Sequence, residues 1–321
     1  LQTPRRDRPR RILFITATRL GDAVLSTGLL DHLARAHPGA RFTVACGPVA
    51  AGLFTRLPGL DRLIVVDKRR YDLHWLVLWA QVAGKLWDLV VDLRGSALSL
   101  FVPARHRAIM RGGRRPGHRL GHIAGALDLT EPPLPVTWTS AADRAVAEGL
   151  LGPGGPVIGL GPTANWHGKI WPPERFVALA AMLAAHLPGA RFAVFGGPGA
   201  QERGFAAPVL AALPTAIDLV GELSLPEAAA CLARCVLFVG NDSGLMHLAA
   251  AAGTATLGLF GPTPATEYAP AGRCTAVALA DGPPGAAPMD RLPMAVAARA
   301  AFDLLARDGV RAALVHEDGA V

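Results

Sequence analysis

Apolar runs of four to six residues, rich in Val, Ile, Leu and Phe, recur along the chain at 12–17, 42–46, 63–66 and 89–93, then at 157–160, 192–195, 217–220, 236–239 and 256–260. Between them lie longer Ala- and Leu-rich stretches with helical spacing. The runs are apolar at successive positions rather than at alternate ones. That pattern predicts strands covered on both faces, as in a parallel sheet flanked by helices. The expected fold class is therefore α/β.

The pattern also repeats. Residues 36–48 read AHPGARFTVACGP and residues 186–198 read HLPGARFAVFGGP, an offset of 150. Each copy predicts a helix that ends at Pro-Gly and a short strand that runs into a Gly-Pro turn. Each follows a strand and a helix, so each half reads as the opening βαβ unit of a Rossmann-like sheet. A chain of 321 residues exceeds the usual size of a single core, which suggests two domains. The Pro- and Gly-rich segments 130–135 and 151–156 are linker candidates, and the boundary is expected near residue 150, giving domains 1–150 and 151–321. The last helix is a candidate for packing back on the N-terminal domain. Ligands of such sheets bind beyond the carboxyl ends of the strands, so two sheets facing each other across a cleft would hold them there.

Composition narrows the class. Hydrophobic residues make up 51% and charged residues 18%, which excludes disorder. Cys46, Cys231, Cys235 and Cys274 lack paired metal spacing. They read as free thiols, with Cys231 and Cys235 on one helical face as small core residues. No run approaches a membrane span, and the N-terminus is a basic arm without a signal-peptide core, so a cytoplasmic location is expected. The charge is unevenly distributed: residues 1–150 carry 22 Lys/Arg against 12 Asp/Glu, while the remainder carries 10 against 13. Basic clusters fall at Arg5 to Arg11, at Lys68-Arg69-Arg70 and from Arg105 to Arg119. They lack interleaved aromatics and any helix-turn-helix, RRM or zinc-finger signature, so nucleic acid is not the expected partner. An anionic small molecule, an anionic membrane surface or a merely solvated face remain.

Candidate chemistry lies at the strand ends. Gly240-Asn241-Asp242-Ser243-Gly244-Leu245-Met246-His247 reads as a strand that stops at a polar turn and restarts as a helix. Its first-turn N–H groups have no intrahelical partner and form an anion site, unless the turn is an ordinary capped helix. His247 shares a face with Ser243. Gly21-Asp22 follows the first strand, where Asp22 either caps the next helix or acts as a general base. In the polar loop from Thr163 to Lys169, Lys169 either offers a cation to phosphate or is simply exposed. Gly196, Gly197 and Gly199 permit close backbone approach, and Glu202 just beyond can accept from ribose hydroxyls. Two nucleotide motifs fail. Pro162, Pro172 and Pro173 oppose the helix that a dinucleotide fingerprint at Gly159-Leu160-Gly161 requires, and Gly168-Lys169 has neither P-loop spacing nor the following Ser or Thr. No His/Asp/Glu cluster has metal-ligand spacing, so neither a metal nor a cofactor is expected.

Gly21-Asp22, Lys169-Ile170-Trp171-Pro172, and Asn241 to His247 followed by Phe260-Gly261-Pro262-Thr263 together resemble glycosyltransferase family 9. That family comprises the lipopolysaccharide heptosyltransferases, inverting enzymes with two Rossmann-like domains in the GT-B arrangement. Trp87 to Gly95 is similar to the family's acceptor-domain strand, with Arg94 where Gln is often found. The resemblance implies that Asp22 deprotonates an acceptor hydroxyl, while Lys169 and the amides of Ser243 and Gly244 stabilise the leaving diphosphate. It implies that Asp242 and His247 orient the donor sugar, with Leu223 against the nucleobase and Thr163 and Glu202 completing the donor site. The implied donor is a nucleoside-diphosphate sugar, ADP-heptose first. The acceptor would be an anionic lipid A core at the inner leaflet, met by the basic N-terminal domain through Arg69, Arg70 and Arg94. Peripheral association with the inner membrane follows from that acceptor. Trp75 and Trp79, one helical turn apart, either rest on lipid or belong to a core helix. Other sugar donors or acceptors, or a non-catalytic nucleotide-sugar-binding module, are the alternatives.

Overall fold

The computed structural model describes residues 10–67, 70–110 and 116–307. It divides into two compact units. The described residues up to 110 together with Leu120–Pro133 form the first, and Pro116–Arg119 with the chain from Leu134 onward forms the second.

The first unit is a five-stranded parallel sheet of β1 (Arg11–Ile15), β2 (Arg41–Cys46), β3 (Leu60–Val65), β4 (Trp87–Asp92) and β5 (Ala104–Ile109), in the order β3-β2-β1-β4-β5. The second holds β6 (Val157–Gly161), β7 (Arg191–Gly196), β8 (Ile217–Val220), β9 (Cys235–Asn241), β10 (Thr256–Phe260) and β11 (Thr275–Leu279), again all parallel, in the order β11-β10-β9-β6-β7-β8. In each sheet the chain runs outward to one edge, returns to the centre and runs to the other edge. The strand order therefore reverses between β1 and β4 in one unit and between β6 and β9 in the other. These switch points are where open parallel sheets bind ligands.

The repeat is visible in backbone detail. The helices Leu20–Ala36 and Pro173–His186 end at the same offset, and β2 and β7 follow them. Gly39 and Gly189 lie between helix and strand at φ 78° and 81°, a left-handed conformation that an L side chain adopts only under strain. The amides of His37 and Leu187 donate to the carbonyls of Leu33 and Leu183, closing both helices in the same way.

Three features differ from the sequence expectations. Strands β5 and β11 are additional. Both are sheet edges; β5 (ARHRAI) exposes Arg105, His106 and Arg107 and lacks the continuous apolar run that marks the other strands, whereas the short run in β11 (TAVAL) is rich in alanine. The units divide near Pro133 rather than at residue 150, because the helix Ala141–Leu151 packs against the helix Leu225–Ala233 of the second unit. Ser140 caps its start in a capping box with Asp143, and the Arg191 side chain at the start of β7 donates to the carbonyls of Leu151 at its end and of Gly152 and Gly155 just past it. The last described helix, Met294–Leu305, buries Ala297, Ala301 and Leu304 in the core of the second unit, with Leu257 and Leu259 of β10. Finally, Cys231 lies in the last turn of the helix Leu225–Ala233 whereas Cys235 opens β9, so they do not share a helical face. Burial pushes the Cys231 thiol up to about 11 and the Cys46 thiol up to about 12.

Candidate active site

In the second unit, the loop after β6 and the turn after β9 meet at the switch point. Residue 169 closes a short 3-10 turn, His167–Lys169, and its Nζ donates to the Asp242 carboxylate at 2.6 Å. The side chains of Lys169 and Asp242 are 19% and 7% exposed, which makes this a largely buried ion pair between groups 73 residues apart. Two residues further on, Trp171 anchors the loop. It is fully buried, its backbone N–H donates to Asn241 Oδ1 at 3.1 Å, and its indole N–H donates to the Leu292 carbonyl at 3.0 Å. A cation whose loop is fixed this firmly gives up little entropy on meeting a phosphate.

Ser243 is the N-cap of the helix Gly244–Ala251. Its backbone is extended, and its hydroxyl accepts from the Met246 N–H at 3.4 Å. Ser243 rather than Asp242 caps the helix, and Asp242 is engaged by Lys169. His247 is buried on the first turn of the same helix. The helix N-terminus, the ammonium group and the carboxylate thus converge on one point, an arrangement suited to an anion that also carries hydroxyl groups.

The remaining donor-side candidates lie beyond β6, β7 and β8. Thr163 is 1% exposed, with its methyl group toward Gly196 at the end of β7. Glu202, in the first turn of the helix Ala200–Ala212, accepts the Gly197 N–H at 3.1 Å and so braces the glycine turn. That turn lines an open cavity of about 300 Å³ with Gly199, Arg203, Gly221 and Glu222, within the range of small-molecule sites. Half-buried Leu223 follows directly after Glu222.

The polar groups of the first unit are more dispersed. Asp22 is half-buried in the first turn of the helix Leu20–Ala36, whose N-cap, Arg19, contributes no capping side chain. A carboxylate there is favoured by the helix dipole. At the end of β4, the fully buried Asp92 carboxylate accepts the N–H groups of Arg94 and Ser96 and the Ser96 hydroxyl, at 2.6 to 2.9 Å. It shapes the turn that carries Arg94, whose guanidinium lies 5.3 Å from the centre of the Trp75 ring. Arg69 lies outside the described residues, as does the Arg70 side chain; only the backbone of Arg70 is described, in the turn Arg70–Asp72.

Two residues at this site escaped the sequence reading. Asn241 was quoted within a motif without a role, yet it links the two loops. Trp166, 53% exposed, lies so close over Gly168 that a Cβ there would meet its ring at 2.4 Å. An exposed Trp three residues before a candidate phosphate-binding lysine is the signal that could have marked it. Among the described residues, no three His, Cys, Asp or Glu side chains group as a metal site, and no helix is long and apolar enough to cross a membrane.

Comparison with known proteins gives a consistent result. The model of one family, described as glycosyltransferase family 9 (heptosyltransferase), matches residues 123–286. The chain is 26% identical to lipooligosaccharide heptosyltransferase 2 of Haemophilus influenzae, over 84% of this chain and 89% of the relative. Among solved structures, a family 9 glycosyl transferase from Veillonella parvula superposes with a TM-score of 0.78 at 23% identity, covering 92% of this chain and 97% of that one. The E. coli ADP-heptose LPS heptosyltransferase II superposes at 0.73 and 22% identity, covering 96% and 99%. Two Rossmann-like parallel-sheet units matched at full length by such structures constitute the GT-B fold class.

Proposed function

The chain belongs to glycosyltransferase family 9, and from that membership we propose that it transfers a heptose from ADP-heptose to an anionic, lipid-linked lipopolysaccharide core, with inversion at the anomeric carbon. It is a glycosyltransferase; the donor, the acceptor and the stereochemistry are our reading. The observation that carries this reading is the Lys169–Asp242 pair at the N-terminus of the helix Gly244–Ala251. The names of the H. influenzae relative and of the E. coli structure support the heptose donor and the core acceptor.

In this mechanism Asp22 takes the proton from an acceptor hydroxyl, and the resulting oxygen attacks the anomeric carbon from the face opposite the diphosphate. The C–O bond to the diphosphate breaks, and the nucleoside diphosphate leaves with its electron pair. Lys169 and the amides of Ser243 and Gly244 stabilise the charge that develops on it. Asp242 and His247 bind hydroxyls of the sugar. The cavity beside Leu223 receives the nucleoside, with Glu202 accepting from its ribose and Thr163 closing the floor. Arg94, Arg69 and Arg70 meet acidic groups of the acceptor. In this reading the acceptor is met by the first unit and the donor by the second. An acceptor embedded in the inner leaflet would bring the protein to that membrane from its cytoplasmic side.

The test is transfer by purified protein from ADP-heptose and from UDP-, GDP- and dTDP-sugars to defined core acceptors, with NMR of the new linkage. Inverted heptosyl product is expected. A retained configuration would remove the Asp22 mechanism, and turnover with another sugar alone would replace the donor. A second reading, a nucleotide-sugar-binding module without catalysis, would require donor binding with no transfer to any core acceptor.

A further inference from the structure

Large apolar side chains stand in solvent on one part of the first unit. On the helix Leu73–Val82 these are Leu73, Leu76 and Trp79, and on the short turn Ala97–Leu100 and the residue after it they are Leu100 and Phe101. Leu76, Leu100 and Phe101 are 61%, 62% and 70% exposed in the presence of the whole described chain. Water-facing apolar groups of this size are disfavoured singly and mark an interaction surface when grouped.

The two segments are joined and held. The Trp79 indole N–H donates to the Phe101 carbonyl at 3.0 Å, which ties the helix to the turn. Arg107 on β5 donates from Nε to the Ser99 carbonyl at 2.9 Å and from Nη2 to the Val102 carbonyl at 2.7 Å. The turn is thereby gripped on both sides of its exposed Leu100 and Phe101. Trp79 itself has its ring edge bonded and part of its face wet, the amphipathic habit of an interfacial tryptophan. The helix is the one whose sequence left open a lipid-facing or a core role. His74, Leu78 and Val82 are its buried positions, so it has both faces.

The charge near this surface is mostly basic. The helix Leu73–Val82 itself carries no Asp, Glu, Lys or Arg. Exposed Lys85 follows it and exposed Arg107 grips the turn, while exposed Asp72 precedes the helix and Asp88 pairs with Arg105 at 3.2 Å. A core partner on another protein would need only the apolar side chains, whereas an apolar patch flanked by Lys85 and Arg107 complements a hydrocarbon boundary topped with anionic headgroups.

We propose that the surface built from the helix Leu73–Val82 and the turn bearing Leu100 and Phe101 docks the protein on an anionic phospholipid bilayer. It rests on the proposed lipid-linked acceptor only for its biological purpose; binding itself is independent of transfer. The experiment uses the full chain and vesicles of phosphatidylethanolamine with phosphatidylglycerol, compared with phosphatidylcholine alone, in co-sedimentation. Wild-type protein is expected on the anionic vesicles, weakened by salt and by phosphatidylcholine. Leu76→Glu and Phe101→Glu should each lower the partition coefficient by at least about tenfold, with an unchanged melting temperature. Both should keep wild-type transfer to a water-soluble, delipidated acceptor and lose it with acceptor embedded in vesicles. Undiminished binding by both variants, or no binding by the wild type, would overturn the proposal. So would a change from dimer to monomer in the variants at constant vesicle affinity, which would assign the surface to a second copy of the chain. Failure of transfer to the soluble acceptor would instead overturn the proposed function and leave the vesicle result standing.

Discussion

The two switch points are built from the same topology and hold their polar groups in different ways. At β6 and β9, the cation, its carboxylate and the capped helix are already joined, through an ion pair at 2.6 Å and an anchoring tryptophan bonded to Asn241. At β1 and β4, Asp22 sits in its helix turn, the Asp92 carboxylate is consumed by backbone amides, and Arg94 is stacked on an indole. The difference fits the ligands we propose for each. A diphosphate offers one fixed charge distribution, which rewards a rigid, preorganised receiver. A larger acidic acceptor is met by cations carried on side chains, supported by packing.

The largest expected effect lies on the dispersed side. Asp22→Asn should lower kcat by about 10²- to 10⁴-fold while leaving ADP affinity unchanged by calorimetry; near-normal turnover would remove its role as base. Lys169→Met should break the preorganised side in two respects. Removing the partner of a buried carboxylate costs roughly 3 kcal/mol, read by urea unfolding, and transfer should fall by about 10²-fold. Adding Asp242→Asn should restore much of the stability and none of the activity, which separates the structural from the catalytic share of the pair. Ser243→Ala deletes a helix cap and should cost about 1 kcal/mol with a modest rise in donor KM. Arg94→Ala should raise acceptor KM a few-fold, on the order of a single exposed cation–π contact, with donor KM unmoved. If it altered donor affinity as well, the contrast between the two switch points would fail. The smallest effect is expected from thiol alkylation near pH 8. Cys46 and Cys231, pushed up to about 12 and about 11, remain protonated and should resist iodoacetamide until the pH exceeds those values, whereas half-exposed Cys274 should react. Mass mapping of the labelled peptides checks this.

The central strands were legible because burial on both faces leaves a continuous apolar run, and the Pro-Gly repeat was legible because a left-handed turn demands glycine. Strand β5 was hidden for the opposite reason. As an edge it leaves Arg105, His106 and Arg107 exposed in succession, and its ARHRAI sequence reads as a charged loop. The domain division was misplaced because linker composition at 151–156 is local, whereas the contacts that put the helix Ala141–Leu151 in the second unit reach Leu225–Ala233 and Arg191. Within the candidate site, the turn from Asn241 to His247 was readable because helix capping and amide exposure are properties of consecutive residues. The pairing of Lys169 with Asp242, 73 residues away, was not.

By itself the sequence determined two parallel α/β sheets, their repeat, the capped helix after β9 and the uneven charge, all of which depend on short-range backbone preference and on composition. Only the tertiary structure decided that Asp242 meets Lys169 rather than caps the helix, that the Asp92 carboxylate supports a turn, and that Leu76, Trp79 and Phe101 share one exposed surface. Each of these joins side chains distant along the chain, and which groups meet is set by strand order and packing, terms that no local window contains.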